Sequence, residues 1–291
     1  MNPIPELQRS HVYMKDPEYT VRVIQQMMED AHHKLQVVAD FDRTLSKYTN
    51  NGHVCSTTHG VLEDSQYMPD DFKIEATHLK EKYLPIEFDG TKSTAEKIPS
   101  MIEWWTKGHE LITRAHLTYD LLRNIVCEST ACLRDGCRWF FDQLHKHEIP
   151  LLIFSAGVGD IIREIIIHQA TLYDNMKIVS NFLKFDDSGK VIGFEGDLIH
   201  VYNKNENAVH SSDYFENIKH RGNLLLLGDS LGDLHMAEGA EDVECTLKIG
   251  FLNIKVEENL QQYVENFDIV IVQDETLEVV NGIMSKILGF S

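Results

Sequence analysis

The sequence lacks the features that mark membrane and secreted proteins. Its apolar runs, such as Leu151–Phe154 and Leu224–Leu227, are far too short to span a bilayer. The first twenty residues hold prolines and charges in place of the apolar segment of a secretory signal. The 5 cysteines are odd in number and not closely paired, which argues against a disulfide framework. We therefore expect a soluble, cytoplasmic protein without a membrane partner.

Positive charge is also scarce in this chain. There are 27 lysines and arginines against 46 acidic residues, which gives a formal net charge of −19. Such a surface repels polyanions, so we expect no long nucleic acid among its partners. A small phosphate ester can still bind where a metal ion or a local positive charge overcomes that field. Any phosphate site in this protein is therefore expected to contain a cation.

What the sequence does contain is an alternation of apolar runs and helical segments. Its 291 residues, of which 43% are hydrophobic, are enough for a complete core. The runs predicted as buried strands are Leu35–Ala39, Leu151–Ser155, Lys177–Ser180, Leu224–Leu227, Cys245–Ile249 and Ile269–Val272. Helices are predicted from Pro17, over Asp135–Lys146 and over Val158–Ala170, and a hairpin is predicted over Phe182–Gly196. This order predicts an α/β fold with a doubly wound, mostly parallel sheet covered on both faces.

The composition of the sequence changes between residues 50 and 132. Pro69, Pro85 and Pro99 divide helical stretches rich in lysine, glutamate and aromatic residues, with little sign of strands. We predict that residues 51–132 form a helical cap domain inserted after the first strand. Residues 1–50 and 133–291 would then form the α/β core.

Polar side chains stand at the ends of three predicted strands. Asp40 follows the first strand, Ser155 ends the second, and Gly228-Asp229 follows Leu224–Leu227. Alone, each would be interpreted as the N-cap of the next helix. Because ligands bind beyond the carboxyl ends of the strands in an open parallel sheet, we expect these three ends to meet in one crevice.

The residue types around these strand ends suit phosphoryl transfer. Asp40 and Asp42 stand two positions apart, so one can be a nucleophile and the other a general acid. In Ser155-Ala156-Gly157, a hydroxyl group and small residues let backbone N–H groups approach a phosphate. A candidate positive charge and two further carboxylates come from Lys204, Asp229 and Asp233. Oxygen ligands of this kind suit Mg²⁺.

Taken in order, Asp-x-Asp-x-Thr, a strand-end Ser, a Lys and Gly-Asp-Ser-x-x-Asp resemble the motifs of the haloacid dehalogenase-like superfamily of phosphatases. An insertion between the first and second motifs is a recognised cap position in that superfamily. Over most of the chain, the sequence is similar to the cytosolic 5′-nucleotidase III family. The similarity is clearest in Ala39–Ser46, Ile153–Asp160, Gly196–Glu206 and Leu227–Ala237.

The resemblance implies a role for each motif residue. Asp40 would attack phosphorus and form an aspartyl-phosphate, and Asp42 would act first as general acid and then as general base. Mg²⁺ would be held by the Asp40 carboxylate, the backbone carbonyl of Asp42 and Asp229, with Asp233 supporting its waters or orienting Lys204. The residues that would hold the phosphoryl oxygens are Thr44, Ser155, Ala156, Gly157 and Lys204.

The predicted cap is expected to select the base of the nucleotide. The resemblance places Trp105 at an aromatic stacking position and Glu87 at a carboxylate that recognises the base. Because adjacent residues cannot share one face of a helix, we expect one of Trp104 and Trp105 in the cap core and the other in the pocket. His59 is a further candidate for the same cleft, and a plain structural histidine fits the sequence equally well.

The Trp-Trp pair is similar to the branch of the family that acts on 7-methylguanosine 5′-monophosphate. 7-Methylguanine carries a positive charge, and tryptophan is the best aromatic partner for a cation. We therefore expect hydrolysis of 7-methyl-GMP, with CMP as a second substrate. The other branch prefers pyrimidine monophosphates, and a smaller aromatic residue is expected there at the position of Trp105.

Other interpretations stay open at this point. A non-catalytic protein that binds 7-methylguanosine nucleotides would keep the base site without needing both Asp40 and Asp42. A pyrimidine-preferring nucleotidase with phosphotransferase activity, or a phosphatase for another ester such as phosphoserine, would use the same motifs. The expected partner is a small nucleotide, the expected cofactor is Mg²⁺, and the chain is expected to be a monomer.

Overall fold

The computed structural model describes residues 4–204, 218, 220–237 and 243–290. In chain order, its strands are β1 (Val12–Tyr13), β2 (Leu35–Ala39), β3 (Thr49–Asn50), β4 (His53–Val54), β5 (Leu151–Val158), β6 (Met176–Asn181), β7 (Leu183–Phe185), β8 (Val191–Phe194), β9 (Asn223–Gly228), β10 (Cys245–Leu252) and β11 (Ile269–Val272). The α-helices of the described ranges are α1 (Pro17–Asp30), α2 (Thr58–Glu63), α3 (Asp70–Glu87), α4 (Thr94–Arg114), α5 (Tyr119–Glu128), α6 (Cys137–Lys146), α7 (Gly159–Gln169), α8 (Val256–Asn266) and α9 (Glu278–Ile287).

The largest sheet has seven strands in the order β1-β11-β10-β9-β2-β5-β6. β1 runs antiparallel to β11, and the other neighbouring strands are parallel. From the central strand β2 the chain builds the sheet towards β6, and it later returns to build the other half from β9 to β11. The predicted doubly wound, mostly parallel α/β fold is therefore confirmed, and the short antiparallel edge strand β1 is an addition to it.

The strands of the large sheet contribute side chains to two separate hydrophobic cores. Val37 and Ala39 of β2 pack into one core, whereas Val38 packs into the other. Neighbouring β5 divides in the same way, with Ile153 in the first core and Leu152 in the second. Because successive side chains of a strand point to opposite faces of the sheet, a strand that is covered on both sides must be apolar throughout.

Two local signals in the sequence act as predicted. Helix α1 begins at Pro17, and the Asp16 side chain accepts a hydrogen bond from the Tyr19 N–H at 2.9 Å. The hairpin of β7 and β8 turns at residues 186–189, where Gly189 has a φ of 78°. Both elements therefore follow from side-chain capping and from the freedom of glycine in tight turns.

The segment between β2 and β5 contains the β3–β4 hairpin and helices α2 to α5. Helices α3 and α4 pack together, α4 packs against β8, and α5 packs against α7. The hairpin, with two residues in each strand, is a small exception to the helical structure that the sequence predicts for this region. Its turn residues, Asn51 and Gly52, have φ values of 52° and 80°. These positive angles are what a two-residue hairpin turn requires.

The prolines of this segment differ from the prediction that they divide helices. Pro69 precedes α3, but Pro85 lies within α3 and Pro99 within α4. Pro85 is in the last turn of its helix. Pro99 follows a start that is strengthened by a capping box of Ser93 and Glu96, so each proline disturbs only one end of a helix. No helix of the described ranges is both long enough and apolar enough to cross a membrane.

Candidate active site

The carboxyl ends of β2, β5 and β9 form the candidate site. Ala39 pairs with Ile153 of β5 and with Leu227 of β9, so the three strands reach the same level. Asp40 follows β2, and its N–H donates to the Leu227 carbonyl at 3.0 Å. The chain adds β5 and β6 on one side of β2 and β9 to β11 on the other side, so the strand order reverses at β2. The crevice therefore lies at the topological switch point where open α/β sheets bind ligands.

Three carboxylates and one ammonium group meet at this edge of the sheet. Lys204 Nζ forms an ion pair with Asp40 Oδ1 and donates to Asp233 Oδ1 at 2.9 Å. Carboxylate oxygens of Asp40, Asp229 and Asp233 all lie within 4.8 Å of one another. Asp40 and Lys204 are only 3% and 5% exposed, so their charges are withdrawn from water. Lys204 is the last described residue of its motif, and Asn205 and Glu206 lie outside the described residues.

The cluster has three carboxyl groups and only one ammonium group to neutralise them. Burial raises the pKa of the Asp40 carboxyl to about 7, with Lys204 acting to lower it and Asp233 to raise it further. Burial, followed by the charges of Asp40 and Asp233, also raises the pKa of Asp229 well above its usual value. Burial disfavours a charged Lys204, but the Asp233 and Asp40 carboxylates outweigh it and raise the pKa of the ammonium group. An additional cation near Asp40 and Asp229 would relieve the remaining repulsion.

Asp233 is committed to hydrogen bonds inside the cluster. Its Oδ2 accepts from the N–H of Asp229 at 3.1 Å and from the N–H and hydroxyl of Ser230, each at 2.9 Å. Its Oδ1 binds Lys204. A Cβ at Gly228 would lie 2.5 Å from the Asp233 Cβ, so this close approach requires glycine. Asp233 therefore orients Lys204 and the strand end, and the carboxylates of Asp40 and Asp229 are better placed to bind an ion.

The residues Ser155, Ala156 and Gly157 lie within β5 and not beyond its end. β5 continues to Val158, and its pairing with β6 shifts register after Phe154. The predicted strand end at Ser155 is therefore wrong, because the irregularity interrupts the strand without ending it. Within this irregular stretch, the Ser155 hydroxyl accepts from the Gly157 N–H at 3.1 Å. Helix α7 starts at Gly159, one residue later than predicted.

Thr44 lies in the tight turn that follows Asp42. It is fully buried, and its hydroxyl has no hydrogen-bond partner in the part of the chain that the structure describes. The turn brings Arg43 to a φ of 64°, with its N–H donating to the Ser46 hydroxyl at 2.9 Å. Thr44 thus has an unused hydroxyl, and it does not line the cavity described below.

The Asp42 carboxylate is held by a residue that the sequence did not single out. Its Oδ1 accepts from the Thr58 N–H at 2.9 Å, and its Oδ2 accepts from the Thr58 hydroxyl at 2.7 Å. Thr58 is the first residue of α2 and is completely buried. Asp42 therefore faces the same cavity as Asp40 but has a different hydrogen-bond partner.

Arg134 is a second residue that supports the candidate site and that the sequence did not single out. Its buried guanidinium donates to the carbonyl oxygens of Arg43 at 2.6 Å and Thr44 at 2.7 Å, and also to that of Asp274. It lies 4.2 Å from the centroid of the Phe251 ring. One arginine therefore fixes the turn that carries the Asp-x-Asp motif. A lone Arg between a predicted cap and a helix carries no signal of this role.

Tyr263 of α8 holds the other acidic strand end. Its hydroxyl donates to the Asp229 carbonyl at 2.6 Å, and its ring packs near Phe267 at 5.6 Å. Burial, with the charges of Asp229 and Asp233, raises the pKa of this hydroxyl, so it stays a donor. Tyr263 stands some thirty residues after Asp229 in the chain, and no local motif connects the two.

A cavity of about 300 Å³ lies between the strand ends and helices α2 to α4. The predicted site residues that line it are Asp40, Asp42, His59, Glu87, Trp104, Trp105, Ser155, Ala156, Gly157, Lys204 and Asp229. A second cleft, of about 620 Å³, lies between α4 and the end of β8 and is lined by none of them. We assign the smaller cavity to the chemistry because the titratable cluster opens into it.

Both tryptophans line this cavity, so the expected division between cap core and pocket is wrong. Trp104 stacks on the buried Tyr83, with ring centroids 5.9 Å apart, and still reaches the cavity. Trp105 Nε1 donates to the Ala156 carbonyl at 2.8 Å, which ties α4 to the Ser155–Gly157 stretch. The cavity is wide enough to contact two neighbouring positions of one helix.

Glu87 and His59 occupy the same cavity in partly buried positions. Burial raises the pKa of the Glu87 carboxyl, while the charges of Arg43, Lys97 and Lys204 act to lower it. Burial lowers the pKa of His59, against the charges of Glu63 and Asp42. The His59 ring meets Trp105 edge-on at 6.2 Å. The cavity therefore offers an acceptor, an imidazole and two indole rings above the charged cluster.

Comparisons with known proteins extend this assignment. Residues 43–288 match the family model described as pyrimidine 5′-nucleotidase (UMPH-1). The 7-methylguanosine phosphate-specific 5′-nucleotidase of Gallus gallus is 47% identical over 285 residues, which cover 98% of this chain and 99% of that protein. The Homo sapiens protein of the same name is 42% identical over 285 residues, with coverages of 98% and 95%.

Solved structures give the same result. The crystal structure of cytosolic 5′-nucleotidase IIIB (cN-IIIB) bound to cytidine has a TM-score of 0.90 and 37% identity, and the match covers 98% of this chain and 96% of that chain. A phospho-aspartyl intermediate analogue of phosphoserine phosphatase has a TM-score of 0.50 and 16% identity, with coverages of 85% and 96%. At that identity the second match shows the shared fold alone.

The sheet order, together with these matches, shows the fold of the haloacid dehalogenase-like class. Within that class, the chain belongs to the pyrimidine 5′-nucleotidase (UMPH-1) family. It is accordingly a hydrolase of phosphoric monoesters that acts as a 5′-nucleotidase.

Proposed function

We propose that this enzyme hydrolyses nucleoside 5′-monophosphates, preferably 7-methyl-GMP and CMP, through an aspartyl-phosphate on Asp40 and with Mg²⁺ as cofactor. The observation that carries the proposal is the buried Lys204–Asp40 ion pair in a cavity that also contains Trp105 and Glu87. A phosphate fits the charged end of this cavity, and a base fits its aromatic end.

The two aspartates of the first motif divide the chemistry between them. Asp40 attacks phosphorus, the bond from phosphorus to the ribose 5′ oxygen breaks, and Asp42 gives its proton to that oxygen. Water then attacks the phosphorus of the acyl phosphate while Asp42 takes a proton from it. Phosphate leaves, and both aspartates return to their starting states. The environments differ as these roles require, because Asp40 pairs with Lys204 and Asp42 with Thr58.

The phosphoryl oxygens are the proposed ligands of Lys204, Ser155 and the backbone of Ala156 and Gly157. The register shift after Phe154 frees part of this backbone from the ladder with β6. A Cβ at Gly157 would lie 3.1 Å from Asp42 Oδ2, so glycine keeps the backbone open at this point. Thr44, with its unused hydroxyl, completes the proposed set.

The donor set fits Mg²⁺. Asp40 and Asp229 supply carboxylate oxygens within 4.8 Å of each other, and the raised pKa values of both show how poorly the site tolerates their charges alone. The proposed ligands are these two carboxylates and the Asp42 carbonyl, with Asp233 as support. When bound, the ion would neutralise charge between the nucleophile and the phosphate.

The base is the proposed ligand of Trp105, Trp104, Glu87 and His59. A nucleobase stacked on tryptophan gains about 1–3 kcal/mol, and a cationic base such as 7-methylguanine gains further from the indole face. The Glu87 carboxylate can accept from the N1–H and the amino group of that base, and from the amino group of cytosine. The names of the Gallus gallus and Homo sapiens relatives support 7-methyl-GMP, and the cytidine-bound cN-IIIB structure supports CMP.

A pyrimidine-preferring nucleotidase that also transfers phosphate to nucleosides is the second candidate. The family description and the cytidine in the related structure favour it. It shares the Asp40 intermediate, and only the acceptor differs, a nucleoside hydroxyl in place of water. Measuring nucleotide formed from nucleoside against phosphate released separates the two.

We also propose the division of the chain into a core of residues 1–50 and 133–291 and a cap of residues 51–132. The cavity supports it, because α2, α3 and α4 line one side and the strand ends line the other. A cytoplasmic location is proposed from the likeness to a protein named cytosolic 5′-nucleotidase. A monomer is proposed as the solution state, which sedimentation equilibrium tests.

Phosphate release from a substrate panel tests the proposed function. The panel contains 7-methyl-GMP, CMP, UMP, GMP, AMP and phosphoserine, each with Mg²⁺ and with EDTA. We expect 7-methyl-GMP and CMP to lead, EDTA to abolish release, and Asp40→Asn to be inactive while still binding 7-methyl-GMP. Equal rates for phosphoserine and the nucleotides, or an active Asp40→Asn enzyme, would overturn the proposal.

A further inference from the structure

The contact between Asp42 and Thr58 connects the end of a central strand with the inserted helical segment. Asp42 belongs to the turn after β2, whereas Thr58 opens α2, the first helix of the inserted segment. The two hydrogen bonds, at 2.9 and 2.7 Å, go to different oxygens of the carboxylate. One residue of the insertion therefore fixes both the position and the rotation of this carboxyl group.

The start of α2 is built so that Thr58 is free for this contact. The neighbouring Thr57 is the N-cap, and its hydroxyl accepts from the Gly60 N–H at 3.2 Å. The Thr58 N–H belongs to the first turn, where helical N–H groups have no partner inside the helix. Asp42 supplies that partner. Thr57 therefore caps the helix, and the adjacent Thr58 binds the Asp42 carboxylate.

The Thr58 side chain also packs directly on Ser155–Gly157, the stretch proposed to bind phosphate. A Cβ at Gly157 would lie 2.1 Å from Thr58 Oγ1, so the hydroxyl occupies the space that a side chain would need. The Val158 N–H points at the same hydroxyl in a long contact of 3.4 Å. With a donor on that side, the hydroxyl proton is directed to Asp42. Thr58 is 0% exposed, so water does not compete for these bonds.

We propose that Thr58 is a positioning residue for proton transfer, holding the Asp42 carboxyl in the orientation in which it serves the leaving group and then the attacking water. The proposal rests on the proposed function, because it requires Asp42 to be the general acid and base. A carboxylate has about four lone-pair directions, and Thr58 uses two of them. Asp42 can therefore exchange a proton with the cavity while both hydrogen bonds to Thr58 persist.

The position of Thr58 in the insertion adds a second consequence. If α2 moves relative to the strand ends, Asp42 loses its two partners and its fixed rotation. The packing of α2 against the strand ends is therefore part of what orients the Asp42 carboxyl. This couples the segment that lines the base end of the cavity to the chemistry at the phosphate end.

The test compares Thr58→Val, which removes the hydroxyl with little change of shape, with Thr58→Ser, which keeps it. With CMP and Mg²⁺, we expect Thr58→Val to lower kcat about ten- to hundredfold, the range for losing a hydrogen bond to a charged group. KM should change by less than about threefold, because Thr58 orients Asp42 and does not hold the substrate. Thr58→Ser should stay within about threefold of the native kcat.

A matched control separates positioning from simple stability. Thr57→Ala removes the N-cap of the same helix and should lower the melting temperature without a tenfold loss of kcat. A Thr58→Val enzyme that is folded by circular dichroism and has native kcat would overturn the proposal. A loss that appears in KM, or that Thr58→Ser fails to rescue, would also overturn it.

Asp42→Asn, measured in parallel, distinguishes a failure of the proposed role of Asp42 from a failure of the proposed role of Thr58. If Asp42→Asn keeps native kcat, the assignment of Asp42 as acid and base fails, and the role of Thr58 fails with it. If Asp42→Asn loses activity and Thr58→Val does not, only the role of Thr58 fails.

Discussion

Replacing Trp105 by alanine should remove most of the preference for a methylated, cationic base. Trp105 lines the cavity, is partly buried and meets His59 edge-on at 6.2 Å, so a base over its face is partly withdrawn from water. A cation over an aromatic ring gains about 0.5–1 kcal/mol at exposed sites and about 2 kcal/mol when desolvated. The partly buried position favours a value of about 1–2 kcal/mol, which corresponds to a change of about five- to thirtyfold.

The quantity to measure is the ratio of kcat/KM for 7-methyl-GMP to that for GMP. The two bases differ by the methyl group and its charge, so the ratio isolates the interaction with the cation. Trp105→Ala should lower this ratio about five- to thirtyfold. GMP and CMP should also lose activity, because the stacking surface is gone for every base.

Trp105→Phe is the matched control. It keeps an aromatic face but loses the Nε1–H that donates to the Ala156 carbonyl at 2.8 Å. Losing that bond should lower kcat/KM for all nucleotides by a similar factor, about two- to tenfold for a typical hydrogen bond. The ratio should fall less than in Trp105→Ala. If Trp105→Ala keeps the full native ratio, Trp105 does not recognise the cationic base and the reasoning is refuted.

Three further outcomes follow from the charged cluster and the base site. Lys204→Met leaves Asp40 and Asp233 buried without their cation, so phosphate release should cease and the free energy of unfolding should fall by about 3–5 kcal/mol in urea titrations; unchanged stability would contradict the ion pair. Burial raises the pKa of Asp40 to about 7 and raises that of Asp229, so the folded state binds protons more tightly than the unfolded state. The stability that these groups contribute is fully present below their unfolded pKa and is lost as pH rises through about 7. In EDTA the melting temperature should therefore fall between pH 5 and pH 8, and Mg²⁺ should reduce that fall; an equal decline with Mg²⁺ would count against the metal site. Glu87→Gln should lower kcat/KM for 7-methyl-GMP about tenfold, the lower end for a hydrogen bond to a charged group; an unchanged value would remove Glu87 from base recognition.

The sheet and the edge that carries the candidate site could be predicted because local patterns determine them. The five-residue run of β2 is buried on both faces, so its composition alone marks a central strand. Asp40 and Asp229 then follow from where such strands end. The chain order of the strands was enough to place these two carboxylates together, although 188 residues lie between them in the sequence.

The residues that hold the proposed catalytic groups could not be predicted in this way. Arg134, Thr58 and Tyr263 act through contacts with distant backbone or side-chain atoms, and no spacing in the sequence connects donor and acceptor. Such contacts depend on how helices pack on the sheet edge. They become visible only when the three-dimensional positions are known.

The β3–β4 hairpin was not predicted either, although the sequence contains a signal for it. Asn51-Gly52 is the strongest short hairpin dipeptide, and both residues adopt positive φ. The flanking strands have only two residues each, so hydrophobic alternation cannot reveal them. Turn chemistry was the better guide at this point. Pro85 and Pro99 show the converse, since proline near a helix end does not divide the helix.

Mass analysis of an acid-quenched single turnover tests the central claim most directly. Pepsin, which is active in acid, releases a peptide that contains both Asp40 and Asp42. With CMP and Mg²⁺, this peptide should gain the mass of one phosphoryl group, fragment ions should place it on Asp40, and Asp40→Asn should show none. A phosphoryl group on any other residue, or full turnover with an unmodified peptide at every quench time, would contradict the account.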